Sequence, residues 1–159
     1  MQQLFLLTGS NIGDSAAYLH EASENIASRV GSIVNQSGIY KTEPWGNKNQ
    51  QDFLNQVLEV QTSLGPEEVL QQILTIELEM GRNRIEKWGP RVIDIDLLFY
   101  GNLVMQTQRL TIPHPLLHER RFTLMPLAEI APEFMHPVLN RTMKKLLEVC
   151  QDSGVVEKL

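Results

Sequence analysis

Two helical segments, each with its own start signal and each closed by a glycine, divide the first hundred residues of the chain. The first is AAYLHEASENIASRVG, with Asp14 before it as N-cap and Gly31 at its end. The second is PEEVLQQILTIELEMG, with Pro66 at the first helical position and Gly81 at its end. Its apolar residues Val69, Leu70, Ile73, Leu74, Ile76, Leu78 and Met80 mostly keep helical spacing. Strand-like runs bracket both helices. QLFLLTG occupies 3–9, SIVNQSGIYKT 32–42 and DFLNQVLEVQTS 52–63, and RVIDIDLLFY ends the series at Tyr100.

The order β-α-β-β-α-β that results is that of the split βαβ unit. It predicts an α+β chain with a ferredoxin-like core, a mainly antiparallel sheet flanked by helices. Gly101-Asn102 predicts a hairpin turn into LVMQ. FTLMPLAEIA and the segment around TMKKLLEVCQ read as helices. The added hairpin and the C-terminal helices are expected to extend the sheet and cover its surfaces. A chain of 159 residues is long enough for one domain, 1–159, with a real core. A fold of this kind supports many functions and supplies none by itself.

Composition narrows the partners. No apolar run approaches the length of a membrane span, and LFLL at 4–7 is too short for a signal peptide and lacks a basic leader. The single cysteine, Cys150, excludes an internal disulfide framework and reads as a buried thiol; a reducing, cytoplasmic setting is expected. A net charge of −5 argues against a broad nucleic-acid surface. One segment runs against that sum. Arg82, Arg84, Lys87, Arg91, Arg109, Arg120 and Arg121 face only Glu86, Asp94, Asp96 and Glu119 between positions 82 and 121. Such a patch suits a compact polyanion such as a nucleotide triphosphate, or it is scattered surface charge.

Inside that segment, strand alternation puts Ile93, Ile95 and Leu97 on one face and Asp94 and Asp96 on the other. Two carboxylates about 7 Å apart repel by roughly 2 kcal/mol at an effective dielectric near 20. A divalent cation offsets this, and Mg²⁺ typically takes one or two carboxylates together with water and substrate phosphates. Asp-x-Asp on a strand is therefore a plausible shelf for a metal–phosphate complex, with nearby cations holding the remaining phosphate charge. The alternatives are a solvated sheet face, or ion pairs to Arg91 and its neighbours.

The run Lys87-Trp88-Gly89-Pro90-Arg91-Val92-Ile93-Asp94-Ile95-Asp96-Leu97-Leu98 resembles the signature of the 6-hydroxymethyl-7,8-dihydropterin pyrophosphokinase family of the folate pathway. Other pieces follow in the same order: LTGSNIGD near the first strand, Tyr40-Lys41-Thr42 before a Pro/Gly loop, and Asp52-Phe53-Leu54-Asn55 after it. Glu77-Leu78 and Gly81-Arg82-Asn83-Arg84 close the second helix, and Arg109-Leu110-Thr111-Ile112-Pro113-His114 follows the hairpin. Arg120-Arg121-Phe122 precedes PL-x-EIAP, so the resemblance covers nearly the whole chain. Phe53 stands where the family often has Tyr, Leu74 where some relatives have a polar residue, and Pro115 where an aromatic can occur.

The resemblance implies transfer of an intact pyrophosphoryl group from ATP to a pterin hydroxymethyl group, releasing AMP, with two Mg²⁺ ions. Asp94 and Asp96 match the metal ligands and, with Arg82 and Arg91, the catalytic set. Glu77, Arg84, Trp88, Leu97, Arg109, Thr111, His114 and Arg120 match the ATP site. Thr42, Trp45, Gly46, Phe53, Asn55 and Phe122 match the pterin pocket. The residue types suit the chemistry. Charge gathering on phosphate oxygens needs cations rather than a covalent nucleophile. Phe53 and Phe122 can sandwich a flat heteroaromatic, and Asn55 offers its edge both a donor and an acceptor. The loops 43–51 and 82–90 are expected to close over ATP and exclude water. The expected partners are thus ATP and the pterin, with neither nucleic acid nor membrane, and the chain is expected to act as a monomer. Two rival readings exist. A nucleotidyltransferase would pair Gly-Ser with Asp-x-Asp close in sequence, whereas Gly9-Ser10 and Asp94 lie far apart. A non-catalytic ferredoxin-like module binding a small ligand would need neither the acid pair nor the arginines.

Overall fold

The computed structural model describes residues 1–44, 49–81 and 91–159. Its organising element is β1 (Gln2–Ser10), whose residues Leu4, Phe5, Leu6 and Leu7 are almost wholly buried. A strand covered on both faces reads as a continuous apolar run, which is why LFLL shows no alternation. Helix α1 (Ser15–Arg29) follows, its first turn capped by the Asp14 carboxylate, which accepts from the Ala17 N–H at 3.1 Å. Leu19, Ala22 and Ile26 form its buried face. Gly31 closes the helix for lack of space rather than for backbone freedom, since a Cβ there would collide with the Gln61 carbonyl. Helix α2 (Pro66–Glu79) starts as expected at Pro66, with Glu68 accepting from the Gly65 N–H at 3.0 Å. Gly81 ends it with φ of +88°, a conformation that favours glycine.

The run expected as one strand over 32–42 is two, β2 (Ser32–Gln36) and β3 (Tyr40–Thr42). Both pair with β4 (Phe53–Thr62), and the break at Ser37 stays tied to it: Ser37 exchanges main-chain and side-chain bonds with Val57. β1 lies between β4 and β5 (Asp94–Tyr100), antiparallel to both. This is the ferredoxin-like arrangement. α1 and α2 pack on one face, over Leu4, Leu6, Leu58 and Ile95. The other face carries Phe5, Leu7, Val57 and Phe99 and is covered by α3 (Arg121–Ile130) and α4 (Met143–Val149).

Alternation in β5 holds from Ile93 to Leu97 and then breaks. Leu6 pairs with Leu97 but Phe5 with Phe99, so Leu98 is an extra residue, a β-bulge. Leu97 serves the α1/α2 layer, while Leu98 and Phe99 both serve the other.

The hairpin differs from expectation. The turn at Gly101-Asn102 forms, with the Leu103 N–H on the Tyr100 carbonyl, but the chain does not return along β5. Instead β6 (Met105–Gln106) pairs with β7 (Thr111–Ile112) as a separate two-stranded sheet. The turn that closes it is held by Thr107, whose N–H donates to the Leu110 carbonyl at 2.8 Å and whose hydroxyl accepts from the Leu110 N–H at 3.1 Å. The main sheet is extended at its opposite edge, by β8 (Val156–Lys158) on β3. Cys150, expected to be buried, lies just past α4 and is half-buried. No helix among the described residues is long and apolar enough to cross a membrane.

Candidate active site

Residues directly opposite in an antiparallel pair share a face of the sheet. Gly9 of β1 lies opposite Asn55 of β4 on one side and Asp94 of β5 on the other. The next pair of rows towards the core joins Val57, Leu7 and Asp96. Phe53 pairs with Thr42 in the row beyond Asn55. Strand alternation therefore delivers Phe53, Asn55, Gly9, Asp94 and Asp96 to the face that α3 covers. The first residues of that helix complete an open pocket of about 600 Å³, lined by Leu7, Gly9, Thr42, Glu43, Phe53, Asn55, Arg91, Asp94, Asp96, Arg120 and Phe122.

The two rims differ. One carries Phe53 from β4 and Phe122 from α3, with Asn55 between them at the floor. Asn55 is only 4 % exposed, and its Nδ2 has no hydrogen-bond partner among the described residues. A buried donor without a partner costs about 1–3 kcal/mol, so this amide is primed for an acceptor brought in by a ligand. Gly9 makes room for it, because a Cβ there would stand 2.7 Å from Asn55 Oδ1. The other rim carries charge. Arg91 Nη1 lies 3.5 Å from Asp94 Oδ2, a loose pair between partly exposed side chains. The Arg120 guanidinium stands 5.7 Å from the centre of the Phe122 ring, within cation–π range, and so links the two rims.

Hydrogen bonds hold the frame behind the acids. Glu77 of α2 is 2 % exposed, and its Oε2 accepts from the Ile95 N–H at 2.9 Å. That bond grips β5 from the sheet edge at the residue between the two aspartates. Further along the same edge, the His114 N–H donates to the Leu98 carbonyl at 3.0 Å. The His114 ring accepts from the Leu116 N–H through Nδ1, leaving Nε2 as its donor. Burial, reinforced by the Arg120 charge and partly countered by Asp94, lowers its pKa to about 4, so the ring is neutral near pH 7. At the start of α3, Asp152 accepts from the Arg121 N–H at 3.0 Å and holds the turn that presents Arg120 and Phe122.

The structure thus brings together Thr42, Phe53, Asn55, Arg91, Asp94, Asp96, Arg120 and Phe122 of the expected site. It puts others elsewhere. Thr111 and His114 line an adjoining cavity of about 550 Å³ between the β6–β7 hairpin and the 136–139 segment. Glu77 and Leu97 are buried on the α1/α2 side of β5, and Arg109 is exposed in the hairpin turn. Trp45, Gly46, Arg82, Arg84 and Trp88 lie outside the described residues, as do most of the two loops expected to close. Leu7, Gly9 and Glu43 line the pocket without having been named among the expected site residues, although Leu7 and Gly9 belong to the LTGSNIGD motif. The register that carries Leu7 and Gly9 to it is invisible locally, although both alternate with Thr8 on a recognisable strand.

Comparison with known proteins points the same way. The family model described as 7,8-dihydro-6-hydroxymethylpterin-pyrophosphokinase matches residues 5–132. The chain is 42 % identical over 156 residues to the 2-amino-4-hydroxy-6-hydroxymethyldihydropteridine pyrophosphokinase of Methylorubrum extorquens, covering 98 % of both chains. It is 42 % identical over 145 residues to the protein of the same name from Aquifex aeolicus, covering 91 % of this chain and 90 % of that one. Among solved structures, wild-type Plasmodium falciparum HPPK-DHPS with pteroate superposes with a TM-score of 0.76 at 19 % identity, over 92 % of this chain. At that identity the likeness shows the fold alone, and the chain spans only 42 % of the length of that longer protein.

Proposed function

The chain belongs to the 7,8-dihydro-6-hydroxymethylpterin-pyrophosphokinase family, and on that premise we propose that it transfers pyrophosphate from ATP to 6-hydroxymethyl-7,8-dihydropterin, giving the pterin diphosphate and AMP in folate biosynthesis, at the pocket between β1, β4, β5 and α3. One observation carries the reading of the site: an aromatic pair and a carboxylate pair line the same pocket. The relatives named above are enzymes, which favours catalysis over a ligand-binding module.

Phe53 and Phe122 stack on the two faces of the bicyclic pterin, and Asn55 Nδ2 donates to an acceptor on its edge. Thr42 bounds the same end of the pocket. The hydroxymethyl oxygen then points towards Asp94, Asp96 and the guanidiniums. It bonds to the β-phosphorus and gives up its proton to solvent, the bond from that phosphorus to the oxygen bridging to the α-phosphate breaks, and AMP leaves with that oxygen. Negative charge rises on the β-phosphate oxygens and on the departing AMP. Arg91 and Arg120 stabilise it through preorganised donors, with Arg82 expected to join them. Arg84, Trp88, Arg109, Thr111 and His114 are assigned to the remainder of the nucleotide, and Trp45 and Gly46 to the pterin.

The acid pair fits a magnesium site. Asp94 and Asp96 offer oxygen donors from one face of one strand. Positions left for water and phosphate oxygens are the habit of Mg²⁺. Bound there, two Mg²⁺ ions would supply neutralising charge at the phosphate oxygens. The lone cysteine is in keeping with a reducing cytoplasm, and the chain is proposed to act as a monomer.

The test is product analysis. With Mg²⁺, ATP and 6-hydroxymethyl-7,8-dihydropterin, the purified protein should form AMP and pterin diphosphate in equal amounts. ADP as the nucleotide product, or AMP made without consumption of pterin, would overturn the assignment.

A further inference from the structure

Asn11 stands one residue past the end of β1, is 2 % exposed, and is not among the residues that line the pocket described above. Every polar atom of its side chain is committed. Oδ1 accepts from the Arg91 N–H at 2.7 Å. Nδ2 donates to Gln50 Oε1 at 2.9 Å and to the Gln51 carbonyl at 3.2 Å. Its own main-chain N–H donates to the Arg91 carbonyl at 3.0 Å. The amide orientation is dictated by chemistry, because Arg91 presents an N–H and Gln51 a carbonyl.

The placement of these partners is what matters. The β1–β5 ladder ends at the Gly9–Asp94 pair, and Arg91 lies beyond it. Without the Asn11 side chain the Arg91 N–H loses its acceptor there, and of the two bonds described only the one from the Asn11 N–H to the Arg91 carbonyl is left. Gln50 and Gln51 lead into Phe53 on the opposite rim of the pocket. One buried side chain therefore clamps the main chain on both approaches to the site. Only asparagine does this at that reach: aspartate lacks the donors, leucine lacks both functions, and glutamine is one methylene too long.

We propose that Asn11 is a positioning residue for the reaction assigned above. It fixes the Arg91 main chain to the end of β1, and with it the guanidinium that faces Asp94, while tying the Gln50–Gln51 segment to the same anchor. The inference rests on the pyrophosphokinase reading for its assay but on hydrogen bonds alone for its geometry. A misplacement of about 1 Å in a charge-stabilising group can cost on the order of 100-fold in rate.

The test is a double-mutant cycle of Asn11→Ala and Arg91→Ala, read as the rate of AMP formation from ATP and 6-hydroxymethyl-7,8-dihydropterin. Asn11→Ala alone should lower kcat by about 30- to 100-fold. In the Arg91→Ala background the same change should cost less than about threefold, because the side chain it positions is gone. An unchanged rate in Asn11→Ala, or strictly additive losses, would overturn the proposal, since a merely structural role would act equally in both backgrounds. If Asn11→Ala shows no cooperative thermal unfolding, Asn11→Leu replaces it in the cycle, keeping the volume while removing the acceptor for Arg91. The same cycle read as affinity for Mg²⁺ and α,β-methylene-ATP reports the coupling without turnover. A wild-type protein that makes no AMP but shows coupled binding losses would sink the reaction assignment and leave the role of Asn11 standing.

Discussion

Replacing Gly9 by alanine probes the floor of the pocket with one methyl group. The backbone at Gly9 is ordinary strand, so alanine brings no conformational penalty there. The added carbon would lie 2.7 Å from Asn55 Oδ1, against the roughly 3.4 Å of an unstrained carbon–oxygen contact. Asn55 must give way by about 0.5–0.7 Å, and at 4 % exposure it has little room to do so. A shift of that size takes a 2.9 Å hydrogen bond past the limit at which it counts as one. If Asn55 binds the pterin edge, its loss should cost about 1–3 kcal/mol, or about 5- to 150-fold in pterin affinity. Isothermal titration of wild type and Gly9→Ala with 6-hydroxymethyl-7,8-dihydropterin reads this directly. Titration with Mg²⁺ and α,β-methylene-ATP should change little, because the methyl points at Asn55 and not at the acids. Pterin affinity unchanged within twofold, in a variant that unfolds cooperatively, would refute the role given to Asn55.

Three other outcomes follow from the same geometry. Asp94→Ala or Asp96→Ala should lower turnover by orders of magnitude while unfolding remains cooperative, since a repulsion of roughly 2 kcal/mol disappears with the carboxylate; thermal melts beside rate measurements check both halves, and an intact rate contradicts the metal-holding role. Glu77→Ala leaves the buried Ile95 N–H without its acceptor and should destabilise the chain by about 2–3 kcal/mol, lowering Tm by about 4–12 °C, with a rise in the Mg²⁺ concentration needed for half-maximal rate. Stability should also carry two pH limbs from the Tyr40–Glu129 pair, whose hydroxyl donates to Glu129 Oε1 at 2.6 Å. Burial alone would raise the Glu129 pKa, but the bonds from Tyr40 and Gly38 and the Lys158 charge lower it, so its contribution is present above the ordinary value of 4.5 and fades as pH falls below it. Burial and the Glu129 carboxylate raise the Tyr40 pKa, so its contribution is complete below pH 10.0 and fades above; Tm against pH for Tyr40→Phe should lose the alkaline limb.

What the sequence made legible was what repeats locally. Asp14, Pro66 and Gly81 mark helix ends through their own backbone chemistry, and the structure keeps them. Alternation from Ile93 to Leu97 sorted the acids from the core before any partner strand was known. The same alternation placed Leu97 opposite the acids, and it is indeed buried under α1 and α2 rather than in the pocket. Gly31 was read correctly as a helix end, but the reason is the nearby Gln61 carbonyl, which lies far along the chain. β6 and β7 have two residues each and β8 has three, too few to show a period. Leu7, Gly9 and Asn11 became legible only once strand register was known, because their roles are defined by what lies opposite them.

The extra residue at Leu98 leaves β5 with one residue of slack that β1, its partner, does not have. A one-residue deletion between Asp96 and Phe99 would draw the strand straight, with both acids still facing the pocket and Phe99 still opposite Phe5. A deletion of the same size in the facing stretch of β1 has no such reserve, and would turn Gly9 and Leu7 away from the site they line. Within the pair, length variation is tolerable on the acidic strand and forbidden on the central one.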